Sequence, residues 1–142
     1  MLAGQLALAL AAAFTGAAIY INIAEQPARL GLDDRALLAE WKPAYKRGYM
    51  MQASIVVVGG LFGLAAFLNT LDFRWLLGAV VLLANWPYTI LVIMPTNTRL
   101  ADTPPDAATA ETRRQLERWG VLPTGRSALG LVATLIFLWA AR

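Results

Sequence analysis

The sequence predicts an all-α integral membrane protein, a bundle of four transmembrane helices with short amphipathic helices in its two long loops. Three observations predict it. Of 142 residues, 58% are hydrophobic and only 15% charged, whereas a soluble domain carries roughly a quarter charged residues. Mean hydropathy is +0.55. The apolar residues also gather into four runs, and a helix needs about 20 such residues to cross ~30 Å of hydrocarbon.

The chain reads as one membrane domain over residues 1–142, with spans at about 2–23, 50–68, 75–94 and 125–141. The first run is interrupted only by Gln5, Thr15, Tyr20 and Asn22. A removable signal peptide is its rival reading, because Gly16–Ala18 resembles a cleavage site. The absence of a positive n-region and the length of the run oppose that. The second run holds Gln52 and Ser54, and the third has no charge. The fourth is the shortest. It spans only if it begins near Gly125 and Arg126 extends its guanidinium to the interface.

Between the spans, Asp33 or Asp34 can cap a short helix through Lys42, and Pro43 ends it or opens the next. In the third loop, Thr103-Pro104-Pro105 starts a helix and Gly120 stops it. That helix is expected either along the membrane interface with Trp119 dipping in, or packed on the other loop. The two long loops and their edges carry ten of the twelve Lys and Arg residues, leaving Arg74 and Arg142 opposite. The positive-inside rule then makes these loops cytoplasmic and both termini external, in a bacterial inner (plasma) membrane. The net charge of +3 therefore suits a membrane surface, and the expected partners are lipids rather than nucleic acid.

There is no cysteine and no histidine. Thiol chemistry and the usual general base, haem ligand and transition-metal ligand are thereby removed, and no metal or cofactor is expected. Chemistry must use carboxylates, arginine, amides, tyrosine or tryptophan. In the third span, Asn85 lies roughly 15 Å from Trp75 along the helix. Pro87 should kink the helix and free the Leu83 carbonyl. Asn85, Tyr88 and Thr89 share a face that either lines a cavity or supplies interhelical hydrogen bonds. Asn22, Glu25, Gln26 and Arg29 form one stripe if the first helix continues, and Pro27 opposes continuation. Glu25 is either half of a hydrated ion pair with Arg29 or a carboxylate at the mouth of the bundle. Tyr45, Tyr49 and Gln52 share another face, and Asn97 and Arg126 fall at the same level. This convergence marks a site, or else the ordinary polar ends of four helices. Gly59-xxx-Gly63 permits close backbone approach, for internal packing or for a homo-oligomer.

Several segments carry a family resemblance. They are Gly16–Asn22 running into Gln26–Arg29, Trp41–Gly48 followed by Met51–Ala53, Pro87–Thr89 leading into Ile93–Asn97, and Trp119-Gly120 with Arg126. Together they resemble the anthrone oxygenase-like family of small four-helix membrane proteins. The resemblance implies a four-span fold and, from a few fungal members, oxidation of an anthrone to an anthraquinone without metal or flavin. Members often carry His or Asn shortly after the Trp-Gly element, whereas Val121–Gly125 holds neither.

The enzyme reading makes Glu25 the base, poised by Arg29, with Arg126, Asn97 and Gln52 stabilising an oxyanion. A hydrophobic phenolic or anthrone-like substrate would stack near Trp86 or Trp41, with Asn22, Tyr45, Asn85 and Tyr88 lining its site. The alternatives are a non-catalytic module that binds a lipid, quinone or partner helix, and an oligomeric scaffold through Gly59 and Gly63.

Overall fold

Lipid offers no partner to backbone N–H and C=O groups, so an apolar chain in a bilayer closes its hydrogen bonds within helices. The computed structural model describes residues Met1–Arg142 and contains no strand. Four helical stretches are long and apolar enough to cross a membrane: α1 (Leu2–Arg29), α2 (Asp34–Thr70), α3 (Phe73–Asp102) and Ala110–Ala140. The last divides into α4 (Ala110–Trp119) and α5 (Thr124–Ala140) at a turn through Gly120. In cross-section α1, α2, α3 and α5 form a square, with α1 against α2 and α5, and α3 against the same two.

The membrane core is built by large rings seated against small residues. Phe14, Phe137, Trp75, Val56 and Leu82 pack among Ala7, Ala11, Ala79 and Ala133. A Cβ on Gly63 or Gly78 would come within 2.8 or 2.5 Å of the Phe137 ring, and one on Gly59 within 3.0 Å of Leu82. Gly59 and Gly63 thus face inward. The close approach this pair permits is made inside the bundle, the internal packing that was one reading of it.

The helices are longer than the apolar runs. Asp33 caps α2 by accepting from the Ala36 N–H at 2.9 Å, and the helix then runs unbroken through Pro43 for 37 residues. At 1.5 Å per residue that is about 55 Å, nearly twice the hydrocarbon thickness. The predicted stop at Pro43 is not there. Pro27 does not end α1 either, because a π-turn over Ile21–Glu25 precedes it. A second π-turn, Thr89–Ile93, precedes Pro95 in α3. The wider turn accommodates a proline that lacks a donor and crowds the carbonyl four residues back. Near Pro87 the α-helix is interrupted for one residue at Ala84, where Asn85 Nδ2 donates to the Leu82 carbonyl at 2.9 Å. The carbonyl so capped is Leu82's, one residue before the expected Leu83.

The ends of the helices beyond the membrane core build a second one. Leu37, Leu38 and Trp41 of α2, Ile93 and Leu100 of α3, and Leu116 and Trp119 of α4 form it. α4 starts later than predicted. Pro105–Ala107 makes a 3₁₀ turn, and the helix begins where Thr109 and Thr112 form a capping box. Arg113 clamps α4 to the α1–α2 turn through Asp34 and the Leu30 and Leu32 carbonyls. Trp119 does not dip into the interface. It is buried, and its indole N–H donates to Asn97 Oδ1 at 2.6 Å.

Candidate functional site

The π-turns place polar side chains where the two cores meet. Past the first, the stripe anticipated for a continuous α1 forms, with Gln26 and Arg29 buried and Asn22 and Glu25 half-buried. Gln26 Nε2 donates to the Leu116 carbonyl at 2.8 Å and fastens α1 to α4. Arg29 is almost wholly enclosed. It pairs with Glu25 one turn back and lies 2.8 Å from Glu40 of α2, an ion pair without hydrogen-bond alignment. Its guanidinium also sits 5.6 Å from the centre of the Trp119 ring. Two carboxylates thus share one guanidinium, and neither receives its whole charge.

A cavity of about 30 Å³ opens at this junction. Its walls bring together Glu25, Arg29, Tyr45, Gln52, Asn97 and Arg126, six of the residues singled out from the sequence. Gln52 is only 1% exposed, and its Oε1 accepts from Arg126 Nη2 while its Nε2 has no partner. Arg126 has no carboxylate within 4.0 Å, whereas the buried Arg29 on the same cavity has two. The Arg126 guanidinium rests 5.5 Å from the Phe14 ring centre, and its Nε is unpartnered. An arginine in this setting is a cation without an anion.

Asn85 and Trp86 do not reach that cavity. They line a second one beside it, of about 10 Å³, which shares Tyr49, Thr89 and Arg126 with the first. Asn85 is 2% exposed, and its Oδ1 is unpartnered after Nδ2 has capped Leu82.

The other three candidates hold structure together. Trp41 is fully buried, stacked on Tyr45 at 4.2 Å and edge-on to Trp119, so it backs the wall rather than lining it. Tyr88 donates its hydroxyl to the Leu122 carbonyl at 2.6 Å, and Asn22 accepts from Ser127 at 2.7 Å. Thr89 lines both cavities, as one reading of its face allowed, whereas sequence reading missed Glu40 and Trp119 as a wall of the first. The signal for Glu40 was a charge 11 positions past Arg29, invisible without the turn that folds α2 back on α1.

A sequence profile of the anthrone oxygenase family matches residues 41–136, more than half of the chain, and the protein belongs to that family. The match takes in Gln52, Asn85, Asn97, Trp119 and Arg126, while Glu25 and Arg29 precede it. No curated protein matches the chain, and no solved structure does.

Proposed function

We propose that this member of the anthrone oxygenase family is itself an oxygenase for a hydrophobic phenolic or anthrone-like substrate, working where the two cores meet. The observation that carries the reading is one cavity with the carboxylate Glu25 and the carboxylate-free Arg126 both in its walls. An anthrone has a CH₂ group flanked by aryl rings and conjugated to a ketone. Glu25 takes one of its protons, leaving an anion whose charge spreads onto the ketone oxygen. Arg126 receives that oxyanion. Asn97, whose Oδ1 is occupied by the Trp119 indole, adds its Nδ2 as a donor, and Gln52 adds its free Nε2. These donors are worth more inside a bundle than in water. The electron-rich anion then reduces O₂, and the hydroperoxide formed at the former CH₂ carbon expels water. One substrate and one O₂ give one quinone and one H₂O. Arg29 and Glu40 hold Glu25 in place.

On the Lys/Arg asymmetry, the reading extends to topology: the cavity faces the cytoplasmic leaflet of a bacterial inner membrane and both termini lie outside. The test is O₂ uptake by the purified protein given a hydroxylated anthrone. Glu25→Gln is expected to lower kcat/KM by roughly 10²–10⁴-fold. Absence of uptake by the wild type, or full turnover by the variant, ends the oxygenase reading. The second reading, a non-catalytic lipid or quinone module, draws on the Arg29–Glu25 ion pair, which occupies the carboxylate that catalysis would need as a base. A bound quinone or lipid with no O₂ uptake would select it.

A further inference from the structure

The cavity system does not stop at Arg126. The 10 Å³ pocket that Asn85 and Trp86 line continues outward into a shallow apolar groove of about 450 Å³. Tyr49 lines all three cavities, and Ala53 and Trp86 line both the middle and the outer one. The groove runs along the outer face of the α2–α3 seam, floored by Met50, Val57 and Val58. Trp86 lies roughly 16 Å along α3 from Trp75, so this opening is at hydrocarbon depth and faces lipid.

We propose that the ligand is an amphiphilic phenol or enol that enters sideways from the bilayer, between α2 and α3 past Trp86 and Tyr49, and docks its ionising oxygen on Arg126. Three features argue for this route and this charge. Around Arg126, the free Gln52 Nε2 and Arg126 Nε are both donors, and an unpaired donor in a bilayer is costly. An oxyanion satisfies both, whereas a cation satisfies neither. The apolar groove matches the flat body of such a ligand and not a hydrated solute. The opposite wall of the cavity holds the charged cluster of Glu25 and Arg29, with Arg29 also paired to Glu40, and an apolar body entering there would have to displace those ion pairs. The neck of 10 Å³ is at the limit for one water. Trp86, 38% exposed, must therefore swing out for the ligand to pass.

The proposal rests on the oxyanion role of Arg126, but binding tests it separately from turnover. The probe is 1,8-dihydroxyanthraquinone, an O₂-inert product-like phenol, titrated into protein held in lipid nanodiscs. Saturable binding is expected. Arg126→Gln should weaken it at least 10-fold, with Arg126→Lys intermediate if folding is intact. Ala53→Trp, which plugs the groove, should slow association at least 10-fold, and Trp86→Ala should speed it. Leu131→Trp, on the lipid face of α5, is the control and should change neither. Association unaffected by Ala53→Trp and Trp86→Ala overturns the lateral route. Affinity unaffected by Arg126→Gln, or no saturable binding by the wild type, overturns the oxyanion site. Binding as described without O₂ uptake leaves this inference standing and removes the oxygenase.

Discussion

At the scale of single residues, the fold depends on a few contacts that have no room to change. A Cβ on Gly125 would stand 2.2 Å from the Tyr88 hydroxyl, which is itself bonded to the Leu122 carbonyl at 2.6 Å. Gly125→Ala therefore has to displace that strut, at a cost of about 1–3 kcal/mol, readable as a lowered thermal midpoint in detergent. A midpoint unchanged within error would mean the strut yields freely. Leu71 presents the opposite case. It ends α2 in the left-handed region at φ 56°, where a side chain costs about 1–2 kcal/mol relative to glycine. Leu71→Gly should accordingly raise the midpoint. Beside it, hydrogen bonds from the Arg74 side chain hold the Asp72 carboxyl below its ordinary range. A carboxyl depressed in the folded state adds stability above its unfolded value and loses it as pH falls through the folded one. Asp72 lies at the surface, partly exposed, where solvent screens the pair, so the effect is small. Asp72→Asn should lower the midpoint at neutral pH, with the difference closing in acid, and a gap that stays constant would assign it to helix capping alone.

At the scale of elements, the main departures from the sequence reading are prolines that do not stop a helix. The four spans were legible because lipid imposes one rule on every residue of a run. Pro27 and Pro43 read as helix stops because in a straight α-helix each removes a donor and crowds a carbonyl. What the sequence could not display is a π-turn, which has no residue signature of its own and here precedes Pro27 and Pro95, while Pro43 lies within α2 without one. Both π-turns lie beside the cavity, as such turns often lie at functional sites. Thr89 opens the second and Asn97 follows it, and both line the cavity. Pro95→Ala removes the reason for the wide turn. Return to α geometry would rotate Thr89 about 100° relative to Asn97. The expected outcome is an unchanged or raised thermal midpoint with probe binding weakened about 10-fold. If binding holds as well, Pro95 does not maintain the turn.

At the scale of the whole molecule, the polar convergence visible in the sequence is real, but its location was only half legible. Glu25, Tyr45, Gln52, Asn97 and Arg126 do meet at one level, since helix length and topology fix that level. They meet between two cores, one in the membrane and one built by α4 and the helix extensions; the reading of α4 as packed on the other loop allowed for the second, but the continuation of α1, α2 and α3 into it was not legible. The side proposed for it rests on ten Lys and Arg residues against two. The chain supplies its own means of testing this, because it has no cysteine and labelling of an introduced thiol has no background. Leu32, in the α1–α2 turn, and Leu71, in the α2–α3 turn, are both exposed and lie at opposite ends of α2. Neither substitution alters the charge balance that sets orientation. In intact bacterial cells, a membrane-impermeant maleimide should label the Leu71→Cys variant and should reach the Leu32→Cys variant only after lysis. The reverse pattern would turn the molecule over and open the Glu25 mouth to the outside. A laterally entering substrate could then come from the outer leaflet, and the groove at Trp86 would have to serve that leaflet instead.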